Sequence, residues 1–289
     1  LWLIDAYRHP NVQVSQRALV GITFILHAYS PRISFYPEIN LRITALMEET
    51  AFERDLLRIH IQILLSQETE KIDKKMREEI IPEMLKSMSP MRNMKFGFEE
   101  SDEEKDDTNP DWADAIEKSG LGDKLREMNE LQLEGADVYM STFSQLKSYP
   151  FFRDISNWFY PFDKQQSDVI KEFRHRGKEG GSLLEIILQS GFFCNSDKYS
   201  LFFTMQQLPQ SQRDMMLNQL TDQQIEELAD QSKAETLKKF SERPDTVSNQ
   251  YLHDLYRFFK LYARRLEFRD LFKESICLYN EPDLIDILF

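Results

Sequence analysis

The sequence predicts an all-α fold in which helices stack side by side as an α-solenoid. Its 289 residues include only 9 glycines and 11 prolines, too few for an all-β protein with many tight turns. Glu, Gln, Leu, Lys and Met are plentiful, and these residues favour helix. Apolar residues also recur at helical spacing, and in several segments they cover two faces of the predicted helix. Such a helix packs between neighbours, so each helix pair is expected to contact the pairs before and after it.

The first predicted helices show this pattern. A helix over 11–29 begins at Asn11, a residue type that caps helix N-termini well, and Pro31 is expected to break it. Helices over 38–49 and 51–66 follow, and both apolar faces of the second are expected to be packed. One face of 51–66 carries Phe52, Leu56, Ile59 and Ile63, and the other carries Leu57, Ile61 and Leu64.

A charged stretch then divides the chain. Residues 99–107 hold seven acids and one lysine, a composition that buries too little apolar surface to offset the entropy cost of ordering. We therefore predict an acidic mobile linker over 93–110, with an acidic docking tail for a basic partner as the alternative. On this interpretation residues 1–92 form a first, HEAT-like helical array and residues 111–289 form a second array.

An aromatic segment, residues 137–162, is predicted to lie at a junction within this architecture. Half of the residues between Tyr149 and Phe162 are aromatic, and each large ring removes roughly 150–250 Å² from water when buried. The rings either fill the core of the junction between the arrays or line a partly exposed peptide-binding groove, because Trp, Tyr and Arg are the usual hot-spot residues of interfaces. The candidate partner-binding residues are Tyr149, Phe152, Arg153, Trp158 and Tyr160.

The second array is predicted to be helical as well. A long helix over 121–147 is followed by shorter helices, and the last strongly patterned one spans 247–266. One face of that helix is apolar and is expected to pack inward, whereas basic residues form the opposite stripe. The inward face consists of Tyr251, Leu255, Phe258, Phe259, Tyr262 and Leu266, and the opposite stripe of His253, Arg257, Lys260 and Arg264.

Two stretches resemble known helical repeats. DAYRHPNVQVSQRALVGI resembles the HEAT-repeat pattern, in which a turn with Asp and Pro leads into V-x-x-R-A-L. Val14, Arg17, Ala18 and Leu19 stand at those positions. SNQYLHDLYRFFKLYARRLEFRDLF resembles the helix–turn–helix stretch where tetratricopeptide-type (TPR-like) repeats begin. Apart from Ala263, it lacks the small residues that those repeats use for close helix crossing.

The chain as a whole resembles the large bacterial helical-repeat proteins that pair HEAT-like and tetratricopeptide-like segments. Such proteins are generally scaffolds. The resemblance therefore implies protein–protein interaction, and it carries over no catalytic residue.

Charge, cysteine and histidine content limit the partners. The net charge of −13 argues against nucleic acid or an anionic membrane as the main partner. The sequence contains no run of about eighteen apolar residues, so no membrane-spanning helix is predicted. Two cysteines fit a reducing compartment, which favours a cytoplasmic location. The histidines stand far apart without the spacing of metal ligands, and neither a metal nor another cofactor is predicted.

One glycine-containing stretch, residues 174–186, is superficially similar to a phosphate-binding loop. In that loop a lysine follows the glycines after a strand, whereas here Lys178 precedes the glycines and the preceding segment is predicted as helix. We interpret Gly180, Gly181 and Ser182 as a turn and a helix N-cap. Binding of an anion by these residues together with Lys178 is the alternative.

These observations predict a non-enzymatic helical-repeat scaffold that binds a protein or peptide partner. No G-x-S-x-G or other nucleophile motif is present, so no catalytic residue is assigned. The alternative is a helical enzyme or a regulatory small-ligand-binding domain with its site in the cleft between the two arrays. The chain is also expected to be part of a longer protein that continues past Phe289, and to self-associate through its apolar C-terminal face. The terminal residues concerned are Leu284, Ile287, Leu288 and Phe289.

Overall fold

The computed structural model of the chain describes residues 1–80, 82, 130–131, 135–163, 191, 193–207, 209 and 239–273. Every regular element within these residues is helical and none is a strand, which confirms the all-α prediction. The arrangement of the helices as repeats stays a prediction. The predicted acidic linker, the 178–182 loop and the terminal residues 284–289 lie outside the described residues.

The described helices are short to medium in length. The α-helices are α1 (Trp2–Tyr7), α2 (Val12–Ile33), α3 (Pro37–Met47), α4 (Thr50–Gln67), α5 (Thr69–Lys75), α6 (Met140–Ser144), α7 (Asn195–Gln207) and α8 (Pro244–Leu261). A π-helical turn spans Met76–Ile80, and 3-10 helices span Gln145–Ser148, Pro150–Arg153, Ser156–Trp158 and Arg265–Glu267. Among these elements, no helix is both long enough and apolar enough to cross a membrane.

Local sequence explains where α2 begins but not where it ends. The Asn11 side chain accepts a hydrogen bond from the backbone N–H of Gln13 at 2.8 Å, which confirms the predicted N-cap. The predicted break at Pro31 is wrong, because α2 runs through Pro31 to Ile33. Proline removes the donor to the carbonyl four residues earlier, but only two helical residues follow Pro31, so little of the helix depends on the disturbed turn.

The predicted long helix over 121–147 is interrupted. Gly135 has a φ of 98°, a left-handed conformation that glycine adopts without steric cost. The backbone N–H of Ala136 donates to the carbonyl of Leu131 at 2.9 Å, a hydrogen bond typical of a helix C-terminus. Residues 136–139 have no helical structure, and α6 begins at Met140.

The chain divides into two compact units. One is made of the residues up to Gln67 together with those from Thr142 on, and the other is Glu68–Ser141. In the first unit α2 packs against α1, α4 and α8, and α4 also packs against α8. Helices from the two ends of the described sequence therefore share one unit. The boundary of the two predicted arrays lies at 93–110, outside the described residues, and that division stays a prediction.

The α4 helix packs against α2 and α8, and one of its apolar faces is buried. Four side chains of this face are fully buried, as the periodicity predicts. These are Phe52, Leu56, Ile59 and Ile63. Gln62 joins the two helices by hydrogen bonds, because its Nε2 donates to the Asp245 carbonyl at 2.9 Å and its Oε1 accepts from the Ser248 hydroxyl at 2.7 Å.

An aromatic core forms where the aromatic segment packs against α7 and α8. Phe258 stacks on Tyr262 with ring centroids 4.9 Å apart, and Trp158 meets Phe258 edge-on at 5.9 Å. The expectation that rings of this segment fill a core is confirmed for three of its members, Phe151, Phe152 and Trp158. Among the described residues, the buried members of the cluster are Phe151, Phe152, Trp158, Tyr199, Phe202, Phe258 and Tyr262.

The α8 helix is buried on more sides than its pattern predicts. His253 and Arg257, which the pattern places on the stripe opposite the apolar face, are both buried. The reason is that α2, α4 and α7 all contact α8. Leu266, predicted on the inward face, is 89% exposed. It lies beyond the end of α8 at Leu261, in a 3-10 turn where the α-helical register no longer applies.

Candidate partner-binding site

The five predicted partner-binding residues divide between the core and the surface. Phe152 and Trp158 are buried, whereas Arg153 and Tyr160 are exposed and Tyr149 is half-buried. A partner can therefore reach Tyr149, Arg153 and Tyr160 directly. The two buried rings support this surface from the inside.

The buried rings fix the segment through a hydrogen bond as well as through packing. Trp158 Nε1 donates to the Phe152 carbonyl at 2.8 Å, and the two ring centroids lie 5.1 Å apart. An indole N–H that finds an acceptor allows the whole ring to be buried without an unpaired donor. The inner side of the aromatic segment is thus held in one conformation.

The loop that carries Tyr160 is anchored on α7. The backbone N–H of Phe162 donates to Asn195 Oδ1 at 2.9 Å, and that of Asp163 donates to the Tyr199 hydroxyl at 3.2 Å. Between these anchors and the core, the Tyr160 side chain remains 52% exposed. An exposed tyrosine on an anchored loop loses little conformational freedom when a partner covers it.

A buried ion triad joins the aromatic segment to α7 and α8. Lys147 Nζ lies 2.8 Å from Asp197 Oδ1, and Arg257 Nη2 lies 2.7 Å from Asp197 Oδ2. Lys147 Nζ also donates to the hydroxyls of Ser196 and Ser200, at 3.0 Å each. Charges removed from water are tolerated when an opposite charge lies close by, as it does for all three members of this triad. The triad therefore fixes the relative positions of three elements.

A second buried carboxylate caps α7 from a distant part of the chain. Asp254 Oδ1 accepts from the backbone N–H of Ser196 at 2.8 Å, and Oδ2 accepts from the backbone N–H of Asn195 at 3.2 Å. The first amides of a helix have no partner within the helix, and the helix dipole favours a negative charge at that end. Asp254 satisfies two of these groups and so holds α8 against the start of α7.

Lys198, in the first turn of α7, is nearly fully buried. Burial lowers the pKa of its ammonium group from the ordinary 10.5 to about 8, although the neighbouring Cys194 and Asp254 act in the opposite direction. The unfolded chain therefore holds this proton more tightly than the folded chain. Between about pH 8 and pH 10.5, the unfolding free energy contributed by Lys198 rises with pH.

A Lys198→Met variant tests this pKa. We expect it to be more stable than the wild type at pH 7, by about 3 kcal/mol from the shift in pKa, and to lose the advantage above pH 10. The measurement is urea unfolding of both proteins from pH 7 to pH 10.5. The difference between them is the relevant quantity, because burial also raises the Cys194 pKa and destabilises both at high pH. A difference that is constant with pH would contradict the assignment.

A stripe of apolar side chains lies exposed on α4. Leu57, Ile61 and Leu64 are 37%, 50% and 49% exposed, respectively. The periodicity predicts these residues as a second packed face, but the structure leaves them at the surface. Among the described elements, α2, α3 and α8 pack against α4, and these three side chains stay outside those contacts. We call these three residues the α4 stripe.

Two further kinds of site, a metal site and the predicted anion site, are not found among the described residues. Within the part of the chain that the structure describes, no three His, Cys, Asp or Glu side chains come together as a metal site requires. The predicted anion-binding residues Lys178, Gly180, Gly181 and Ser182 lie outside that part. The chain matches no protein-family model, no curated protein and no solved structure.

Proposed function

We propose that the chain is a non-enzymatic helical scaffold that binds a protein partner, and that an apolar helix face of the partner packs on the α4 stripe. The exposure of this stripe is the observation that carries the proposal. Scattered apolar residues are common on protein surfaces, whereas apolar residues lined up together are typical of an interface.

The spacing of the stripe suits a helical partner. Leu57, Ile61 and Leu64 stand at positions i, i+4 and i+7, so they form one line about 10 Å long on α4. Lines of this kind recognise the apolar face of another helix by packing side chains between side chains. Each buried Leu or Ile side chain stabilises such a contact by up to about 1.5–3 kcal/mol. Arg54, exposed one turn before the stripe, supplies a polar border of the kind that surrounds interface cores.

The outer side of the aromatic segment is proposed as a second contact surface. Tyr149, Arg153 and Tyr160 belong to the residue types that dominate binding energy at interfaces. Tyr149 shares a hydrogen bond with Thr204 on α7 at 3.0 Å and is thus already oriented. Phe152 and Trp158 contribute to this surface indirectly, by holding it in place.

An Ile61→Glu variant tests the proposal. A carboxylate at the centre of the stripe would have to be buried without a partner, so we expect binding to fall at least about tenfold. The full-length protein is used to capture partners from its native cells, with the wild type and the variant compared by quantitative mass spectrometry.

The matched control is Thr44→Glu, which adds the same charge at an exposed position of α3. Support requires one protein that the wild type and Thr44→Glu capture equally and that Ile61→Glu loses. Two results would contradict the proposal: capture that does not depend on Ile61, or recovery of only further copies of this chain.

A further inference from the structure

Arg17 of α2 holds its guanidinium group against the aromatic segment. Its Nη1 donates a hydrogen bond to the carbonyl of Phe159. The guanidinium carbon lies 4.9 Å from the centroid of the Tyr251 ring, which it faces as a cation does in a cation–π contact. One nitrogen and one face of the group are therefore occupied, and the plane of the group is fixed.

The other edge of the same guanidinium has no acceptor. Arg17 Nε and Nη2 are both buried, and neither makes a hydrogen bond. Burial lowers the pKa of this guanidinium, and the nearby Asp254 carboxylate offsets the effect only in part. Buried charged donors nearly always have partners in folded proteins. Two buried donors without acceptors, on a guanidinium group whose plane is fixed, therefore point to a ligand.

The Asp254 carboxylate, which lies near Arg17, already accepts hydrogen bonds from α7. Both oxygens of Asp254 accept hydrogen bonds from the start of α7, from Asn195 and Ser196 at 2.8–3.3 Å. Asp254 thus holds α7 and does not pair with Arg17. The charge of Arg17 is left for a group from outside.

The shape of the orphaned edge specifies that group. Nε and Nη2 point side by side, and a carboxylate accepts from both at once with its two oxygens. One helical turn earlier, on the same face of α2, the Gln13 Oε1 atom is also buried without a hydrogen bond. This acceptor needs a donor, and the backbone N–H next to a peptide C-terminus would supply one.

We propose that the Nε–Nη2 edge of Arg17 binds a carboxylate of a peptide segment of the partner, and in particular its C-terminal carboxylate. This inference rests on the proposed function, because it takes the ligand to be part of a protein. The half-buried rings of Phe159 and Tyr251 and the exposed ring of Tyr160 then contact the side chains that precede the carboxylate. Because both nitrogens are covered, the peptide must displace the covering side chains, and association is slower than diffusion allows.

Three pools of short biotin-labelled peptides, randomised over neutral residues, are the probes. The first pool has a free C-terminal carboxylate and no acidic residue. The second has a C-terminal amide and one glutamate, and the third has a C-terminal amide and no acid. Retention of each pool is measured on the full chain as wild type, Arg17→Met, Arg17→Lys and Arg32→Met. The last is the matched control, an exposed arginine on the same helix.

We expect the wild type and Arg32→Met to retain the first pool about tenfold or more above the third. Arg17→Met should lose this preference, and Arg17→Lys should lose most of it, since lysine keeps the charge but not the paired donors. Thermal unfolding separates binding from folding: Arg17→Met should melt no lower than the wild type, because it removes a buried charge without a full set of partners. Retention of the second pool rather than the first would assign the carboxylate to a side chain.

Several outcomes would overturn the inference. The wild type could retain the third pool as well as the first, Arg17→Met could keep the preference, or no pool could be retained. None of these results bears on the proposal that a partner docks on the α4 stripe, which the Ile61→Glu comparison tests separately. Loss of partner capture in Arg17→Lys but not in Ile61→Glu would mean that the partner binds at Arg17 and that the stripe has another role.

Discussion

An Asp197→Ala variant is expected to lose about 3–5 kcal/mol of unfolding free energy, the range for breaking a buried ion pair by removing one partner. Within the described residues, Asp197 is the only acidic side chain that pairs with Lys147, and it also pairs with Arg257. Its removal leaves two cations in the protein interior without that carboxylate. Urea unfolding followed by circular dichroism measures the loss.

Two controls show whether the effect belongs to the buried triad. Asp5→Ala breaks an exposed ion pair with Arg42 and is expected to cost at most about 1 kcal/mol. A triple variant, Lys147→Met with Asp197→Leu and Arg257→Met, should recover much of the lost stability, since apolar residues of similar volume often replace a buried triad without loss. An Asp197→Ala protein as stable as Asp5→Ala would show that the triad does not form.

A Trp158→Ala variant is expected to lose about 3–5 kcal/mol as well, because a large ring is removed from a packed site. Trp158 contacts Phe152, Phe258 and Tyr262, and its side chain is almost completely buried. The substitution would leave a cavity, and it would also remove the hydrogen bond that the indole donates to the Phe152 carbonyl. The same unfolding experiment measures this effect.

Tyr160→Ala is the control for Trp158→Ala. It removes an aromatic ring two residues further along the same segment, but an exposed one, and its effect on stability should stay within about 0.5 kcal/mol. A Trp158→Ala protein with unchanged stability that has lost its partner would reverse the assignment. Trp158 would then be a contact residue and not a core residue.

The local features of this fold could be predicted from the sequence because they depend on neighbouring residues. The cap at Asn11 and the buried face of α4, with Phe52 and Ile63, follow from side-chain chemistry and from the 3.6-residue period. The end of α2 could not be predicted in the same way. Proline weakens a helix by a fixed amount, but its position relative to the last turn decides whether the helix ends there.

The polar part of the interior could not be predicted, since it depends on residues far apart in the sequence. Asp254 caps α7 from a position 59 residues beyond Asn195. Arg257 stands on the basic stripe of its helix, where periodicity predicts solvent exposure, but three helices surround α8 and bury it. Arg257 lies between Tyr256 and Phe258 in the sequence, but adjacent residues of a helix point about 100° apart, so these neighbours do not mark it as buried.

Only part of the candidate site could be predicted, because the burial of its side chains also depends on residues far apart in the sequence. Composition identified the aromatic segment, but it could not decide which rings face inward, because the segment forms 3-10 helices and loops without a regular period. The periodicity identifies the α4 stripe as apolar and predicts it in the interior, whereas its side chains are exposed. Periodicity shows which residues share a face, whereas only the packing of other helices shows whether that face is covered.

Photo-crosslinking in the native cells is the most direct test of the claim that a partner docks on the α4 stripe. A benzophenone amino acid is introduced in place of Ile61 in one protein and of Thr44 in another, and both are irradiated under identical conditions. Docking on the α4 stripe predicts a covalent adduct with one distinct protein from position 61 and not from position 44. The absence of any adduct from position 61, or the same adducts from both positions, would contradict it.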